Sequence, residues 1–187
     1  MRADHLFDLD KEPPAVRDRY GRTPFGEQTL LARRLVEAGI PVVKITKGFW
    51  DSHHDNFESH RELVPDFDNA LRVLLADLHD RGLLESTLVM VLSEFGRTPV
   101  INQDVGRDHF AAAWSVALAG AGVRGGAVYG RTDVDGKTVA DGEVNASDLA
   151  ATIYQAAGID PRTEYPAGLR PVPLAKEDAR VIEEILK

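Results

Sequence analysis

No cysteine occurs in this 187-residue chain, which removes disulfides, thiolate nucleophiles and cysteine-based metal sites together. No apolar run approaches the roughly 20 residues that a membrane-spanning helix needs. The N-terminus, MRADHLFDLDKEPP, is charged from its start and has no apolar core of a signal peptide. On this reading the chain by itself is soluble and cytoplasmic. Basic charge is also short: 22 Lys and Arg against 30 Asp and Glu give a net charge of -8. That argues against a nucleic-acid or anionic-membrane surface. It leaves phosphate and sulfate esters open, because a local metal or arginine can hold an anion on an acidic protein. Internal repeats and low-complexity tracts are absent as well. What remains, 43% hydrophobic and 28% charged residues, is ordinary globular composition, enough for one domain with a substantial core.

Residues 1–22 read as an irregular or partly helical lead-in around Pro13-Pro14. Thr23-Pro24 has the form of a helix start, Leu31, Leu35 and Ala38 space an apolar stripe, and Gly39 ends it. Val42 to Thr46 predicts a short strand. A second helix is expected from Val64 or Pro65 to Arg81, with Val64, Phe67, Leu71, Leu74, Leu75 and Leu78 on one face. Asp66, Asp68, Arg72, Asp77, Asp80 and Arg81 fall on the other. Leu88 to Leu92 is a continuous apolar run of strand length, and Trp114 to Ala119 is a further one. Val128-Tyr129-Gly130 and Lys137-Thr138-Val139 flank the turn Asp133 to Gly136. Asn145 or Ser147 caps a helix that Gly158 ends; Pro161 to Pro173 crosses the surface, and Lys176 to Leu186 reads as a last amphipathic helix. Strands alternating with helices predict an α/β sheet with helices on both faces.

Two polar loops follow the predicted strands. After Val42 to Thr46 come Asp51, His53 and His54, a carboxylate with imidazoles close by that can converge on a divalent cation such as zinc, manganese or iron. The same triplet can equally be a solvated loop ahead of a helix. After Leu88 to Leu92 come Glu94, Arg97, Asn102, Asp104, Arg107, Asp108 and His109, punctuated by Gly96, Pro99 and Gly106. Acids, arginines and a histidine delivered by a buried strand are how open α/β sheets build sites. Asp108 and His109 can turn into a cleft or pair with each other at the surface. Arg97 offers a planar fork that matches a phosphate or sulfate edge. Glu94 reads as a metal ligand, a general base, or only the end of its strand. Asp133-Val134-Asp135-Gly136 lacks the remaining ligands of a calcium loop and reads as a turn.

RYGRTPFG (19–26), LLARRLVEAGI (30–40), WDSHHDNF (50–57), LVMVLSEFGRTP (88–99), GRDHF (106–110) and DLAATIYQAAGIDP (148–161) together resemble the bacterial domain of unknown function 1501 family. The resemblance runs over nearly the whole chain and implies an alkaline-phosphatase-like, sulfatase-like superfamily. It implies a three-layer α/β/α sandwich with a mostly parallel central sheet, of which this chain would be the C-terminal portion: lead-in 1–22, α/β core 23–175, C-terminal helix 176–187. The implied activity is metal-dependent hydrolysis of small phosphate or sulfate esters. Arg97 and Glu94 would be catalytic, and Asp51, His53, His54, Glu94, Asp108 and His109 metal residues. The metal would be zinc, manganese or calcium, at one site rather than two, because Phe95 stands where the superfamily has a ligating histidine. The nucleophile-bearing segment would lie upstream, so the alternative is a non-catalytic module that binds an anion or a partner. Self-association, or pairing with that upstream segment, is expected. So is a periplasmic or exported home for a longer chain carrying a signal.

Overall fold

The computed structural model describes residues 4–168 and 170–187; the first three residues of the expected lead-in, and Leu169, lie outside them. The chain forms two compact units, one from its start to Leu84 together with Val100–Asp108, the other from Glu85–Pro99 and His109–Lys187. Among the described residues there are five α-helices and four two-stranded antiparallel sheets.

The first unit is helical. It contains α1 (Asp4–Phe7), a 3-10 turn at Leu9–Lys11, α2 (Pro14–Tyr20), α3 (Pro24–Glu37) and α4 (Asn56–Asp80). Helix α3 begins as its sequence predicts: Pro24 occupies the first turn, where a missing N–H costs nothing, and Thr23 Oγ1 accepts from Gly26 N at 3.0 Å. Gly39, with φ of 83°, follows its end in the left-handed region that favours glycine. Tyr20, Leu30 and Val73 form the core, with Leu9, Val16 and Leu74 packed on it. A buried arginine completes the seam. Arg33 lies 2.8 Å from Glu12, 2.6 Å from Glu37 and 3.1 Å from Asp77. Arg34 holds the lead-in through the Leu6 and His5 carbonyls at 2.8 and 2.7 Å.

The second unit carries β1 (Leu88–Val91), β2 (Gly96–Arg97), β3 (His109–Phe110), β4 (Ala117–Gly120), β5 (Arg131–Thr132), β6 (Val139–Asp141), α5 (Ala146–Ala156), β7 (Glu164–Ala167) and β8 (Arg170–Pro173). The pairs are β1 with β4, β2 with β3, β5 with β6 and β7 with β8. Asn145 caps α5 by accepting from Ser147 N and Asp148 N at 2.8 and 2.9 Å. Asp148, buried in the first turn of α5, takes Arg180 N at 2.8 Å and the Arg180 guanidinium at 2.6 Å. Ile182 N donates to Thr152 Oγ1 at 3.0 Å, and Lys187 N to Gly122 O at 2.9 Å, tying the C-terminal segment across the unit.

The expected three-layer sandwich with a mostly parallel central sheet is not what the chain forms. Leu88 to Leu92 becomes β1 without its last residue, and of Trp114 to Ala119 only the end, from Ala117, enters β4; the two pair antiparallel with each other. A parallel pair needs a crossover of a dozen or more residues, usually helical. The segment between β1 and β4 holds only the short β2–β3 ribbon and loops. Val42 to Thr46 is not a strand: Val43 and Ile45 are half-buried and Val42, Lys44 and Thr46 exposed, the alternation of an extended chain without a ladder. Helix α4 begins at Asn56 rather than Val64 or Pro65, and its face turns so that Asp77, expected outside, is buried with Ala70, Val73 and Leu78. The expected helix from Lys176 to Leu186 is a single 3-10 turn, Glu183–Ile185. The hairpin around Asp133 to Gly136 forms as β5 and β6, displaced by two to three residues from the expected strands. The Pro161 to Pro173 segment folds on itself as β7 and β8.

Candidate functional site

In the first unit two loops, 51–56 and 102–108, are laced together by backbone hydrogen bonds. Arg107 N donates to Ser52 O at 3.0 Å, Asp55 N to Asp104 O at 3.1 Å and Asn56 N to Val105 O at 3.0 Å. Gly106 is required here, because a Cβ would overlap the His53 carbonyl. Asp55 and Val105 both take positive φ, 47° and 59°. For a β-branched valine that is a genuine outlier, and such strain persists only where surrounding bonds enforce it.

His53 stands between two carboxylates. Its Nε2 lies 3.1 Å from Asp51 Oδ1 and its Nδ1 2.9 Å from Asp108 Oδ1. Asn102 Nδ2 donates to the same Asp108 oxygen at 3.2 Å and to the His53 carbonyl at 2.9 Å. His54, its neighbour in extended backbone, points elsewhere, toward Asp55 at 3.5 Å. Of the residues expected to hold metal, Asp51, His53 and Asp108 therefore meet in this unit and His54 does not join them.

The second unit holds the other expected residues. Arg97 on β2 is the direct cross-strand partner of His109 on β3, and Gly96 that of Phe110. Directly opposed residues carry their side chains on one face of the ribbon. The Phe95 ring lies 4.5 Å from the His109 ring, so the residue that cannot ligate packs on one that can. Gly96 allows the ribbon to close, since a Cβ there would fall 2.6 Å from the Trp114 Cβ. Glu94 is exposed just beyond β1.

The family described as "Protein of unknown function (DUF1501)" matches residues 1–186. The chain belongs to this family. No curated protein and no solved structure matches it. Membership of DUF1501 brings no reaction with it, so the chemistry of this DUF1501 chain rests on its own side chains. One of those, Asn102, was given no role from the sequence. The signal was present in Asn102-Gln103-Asp104-Val105-Gly106, the spacing of an asparagine that caps its own loop. No helix among the described residues is long and apolar enough to cross a membrane.

Proposed function

We propose that Asp51 and His53 hold a divalent cation, and that this site hydrolyses small phosphate or sulfate esters. The observation that carries the reading is the position of His53 between Asp51 and Asp108. Two ligand atoms each about 2.1 Å from one ion, at angles between a right angle and the tetrahedral value, lie about 3.0–3.4 Å apart. The 3.1 Å between His53 Nε2 and Asp51 Oδ1 fits that spacing. Asp108 on Nδ1 then fixes the ring and raises its basicity, as an outer carboxylate does for a ligating histidine. Zinc or manganese suits the nitrogen and oxygen donors better than calcium.

Bound there, the cation would supply Lewis-acid stabilisation of the ester oxygens. Within the second unit Arg97, cross-strand from His109, offers a planar cation that matches a phosphate or sulfate edge. Aryl phosphates and aryl sulfates, tested with zinc or manganese on the chain and on His53→Ala, check the reading. Turnover with either ester class that is lost in His53→Ala supports it; metal binding without turnover removes the hydrolase. The second reading, a non-catalytic anion-binding module, draws support from exposure. The Asp51 and Asp108 side chains are 64% and 54% exposed, in water that weakens electrostatic stabilisation of a transition state.

A further inference from the structure

We propose that Asn102 is the positioning residue of this site, holding Asp108 so that Asp108 holds His53. The inference rests on the cation site argued above and assigns a role to a residue outside its ligands. The amide of asparagine has two acceptor lone pairs and two N–H donors. All four are used. Oδ1 accepts from Asp104 N at 3.0 Å and Gly106 N at 2.8 Å, while Nδ2 donates to the His53 carbonyl at 2.9 Å and Asp108 Oδ1 at 3.2 Å. Two donors face one end and two acceptors the other, so the amide has only one orientation that satisfies them.

One side chain thus does two separable things. Its oxygen shapes loop 102–106 by capping two backbone amides. Its nitrogen joins that loop to the backbone of His53 and to the carboxylate that orients the His53 ring. Asp108 Oδ1 receives Asn102 Nδ2 and His53 Nδ1 together, which pins the carboxylate from two directions. Two hydrogen bonds arriving from different directions restrict rotation of the carboxylate, and so of the ring, more than the imidazole bond does by itself. With Asn102 in place, the Nε2 lone pair stays aimed at the Asp51 side.

The test is calorimetric titration of zinc or manganese into the full 187-residue chain and its Asn102→Ala, Asp108→Asn, double and His53→Ala variants. Outer partners of ligating histidines contribute about 10–100-fold in metal affinity. Asn102→Ala is expected to lose that much. The double variant is expected to bind no worse than the weaker single, because both changes break one chain of contacts. If the wild type binds and His53→Ala does not, yet Asn102→Ala binds as wild type or the two losses multiply, the role of Asn102 falls and the site stands. If the wild type binds no metal, the cation site falls and takes this role with it. Asn102→Asp covers the case in which the alanine variant does not fold, since it keeps the oxygen that caps Asp104 and Gly106. In the metal-free chain its His53 ring-nitrogen resonances should shift while the unfolding midpoint holds. Unshifted resonances overturn the proposal.

Discussion

Arg33 is 2% exposed, and its charge is met by three carboxylates. Its Nε and Nη2 sit at ion-pair distance from Asp77 and Glu12 but off hydrogen-bonding angles, so the contacts are Coulombic more than directional. Removing one partner of a buried ion cluster leaves the others uncompensated, at about 3–5 kcal/mol. Arg33→Ala should therefore lower unfolding stability by that order in urea titration. Asp77 and Asp148 give the pH dependence. Burial alone would raise the Asp77 carboxyl, but hydrogen bonds from Arg81 and Tyr20 and the nearby Arg33 hold it below its ordinary value. Burial acts likewise on Asp148, and the Arg180 N–H and guanidinium outweigh it. A carboxyl lowered in the folded state contributes stability that is complete above its unfolded value, about 4, and is lost as pH falls through the lower folded value. Urea midpoints should owe no loss to these two groups between about pH 7 and about pH 5, and fall below about pH 4. Asp148→Asn should cost about 1.5–3 kcal/mol at neutral pH and flatten part of that acid slope. Sequence did not reveal Asp77, because a carboxylate among Arg72, Asp80 and Arg81 reads as solvated until Tyr20 and Arg33 arrive from other helices.

At the scale of elements, what was legible depended on whether the ends of each helix are closed locally. Thr23, Pro24 and Gly39 bracket α3, and Asn145 and Gly158 bracket α5, all with side chains or backbone freedom within a few residues. The start of α4 has no such mark. Asp55 makes no side-chain cap, and the amides of Asp55 and Asn56 are taken by carbonyls about 50 residues later. The expected C-terminal helix fails for the same reason reversed: Arg180 N and Ile182 N donate to Asp148 and Thr152, so they cannot feed a local helix. Pro65 then lies inside α4, where proline costs up to about 3 kcal/mol relative to alanine. Pro65→Ala should stabilise the chain by about 1–3 kcal/mol in thermal or urea unfolding; a loss of stability would return the helix start to Pro65. Gly106→Ala should separate the two site loops. Relief of its clash with His53 needs backbone movement, at about 1–3 kcal/mol, and metal affinity should drop with it.

For the whole molecule, Leu88 to Leu92 was legible as a strand and its partner was not, because such a continuous run fits any sheet that buries both faces. The chain leaves β1 in a two-stranded sheet, with Met90 42% and Leu92 47% exposed. Trp114 and Val116, just ahead of β4, are exposed too. Residues 87–92 carry no charge, the property by which edge strands usually resist pairing. A second copy of this chain offers the same uncharged strand, and apolar residues oppose apolar ones in an antiparallel self-pair. The net charge of -8 works against such contact, and salt screens it over about 10 Å at 0.1 M. Self-association should therefore grow with protein concentration and as salt rises from about 50 mM to about 500 mM. Sedimentation velocity measures it directly. Met90→Lys with Leu92→Lys should keep the chain monomeric under the same conditions without loss of its unfolding transition. A sedimentation coefficient that ignores both concentration and salt in the unaltered chain would show that these strands attract no second copy.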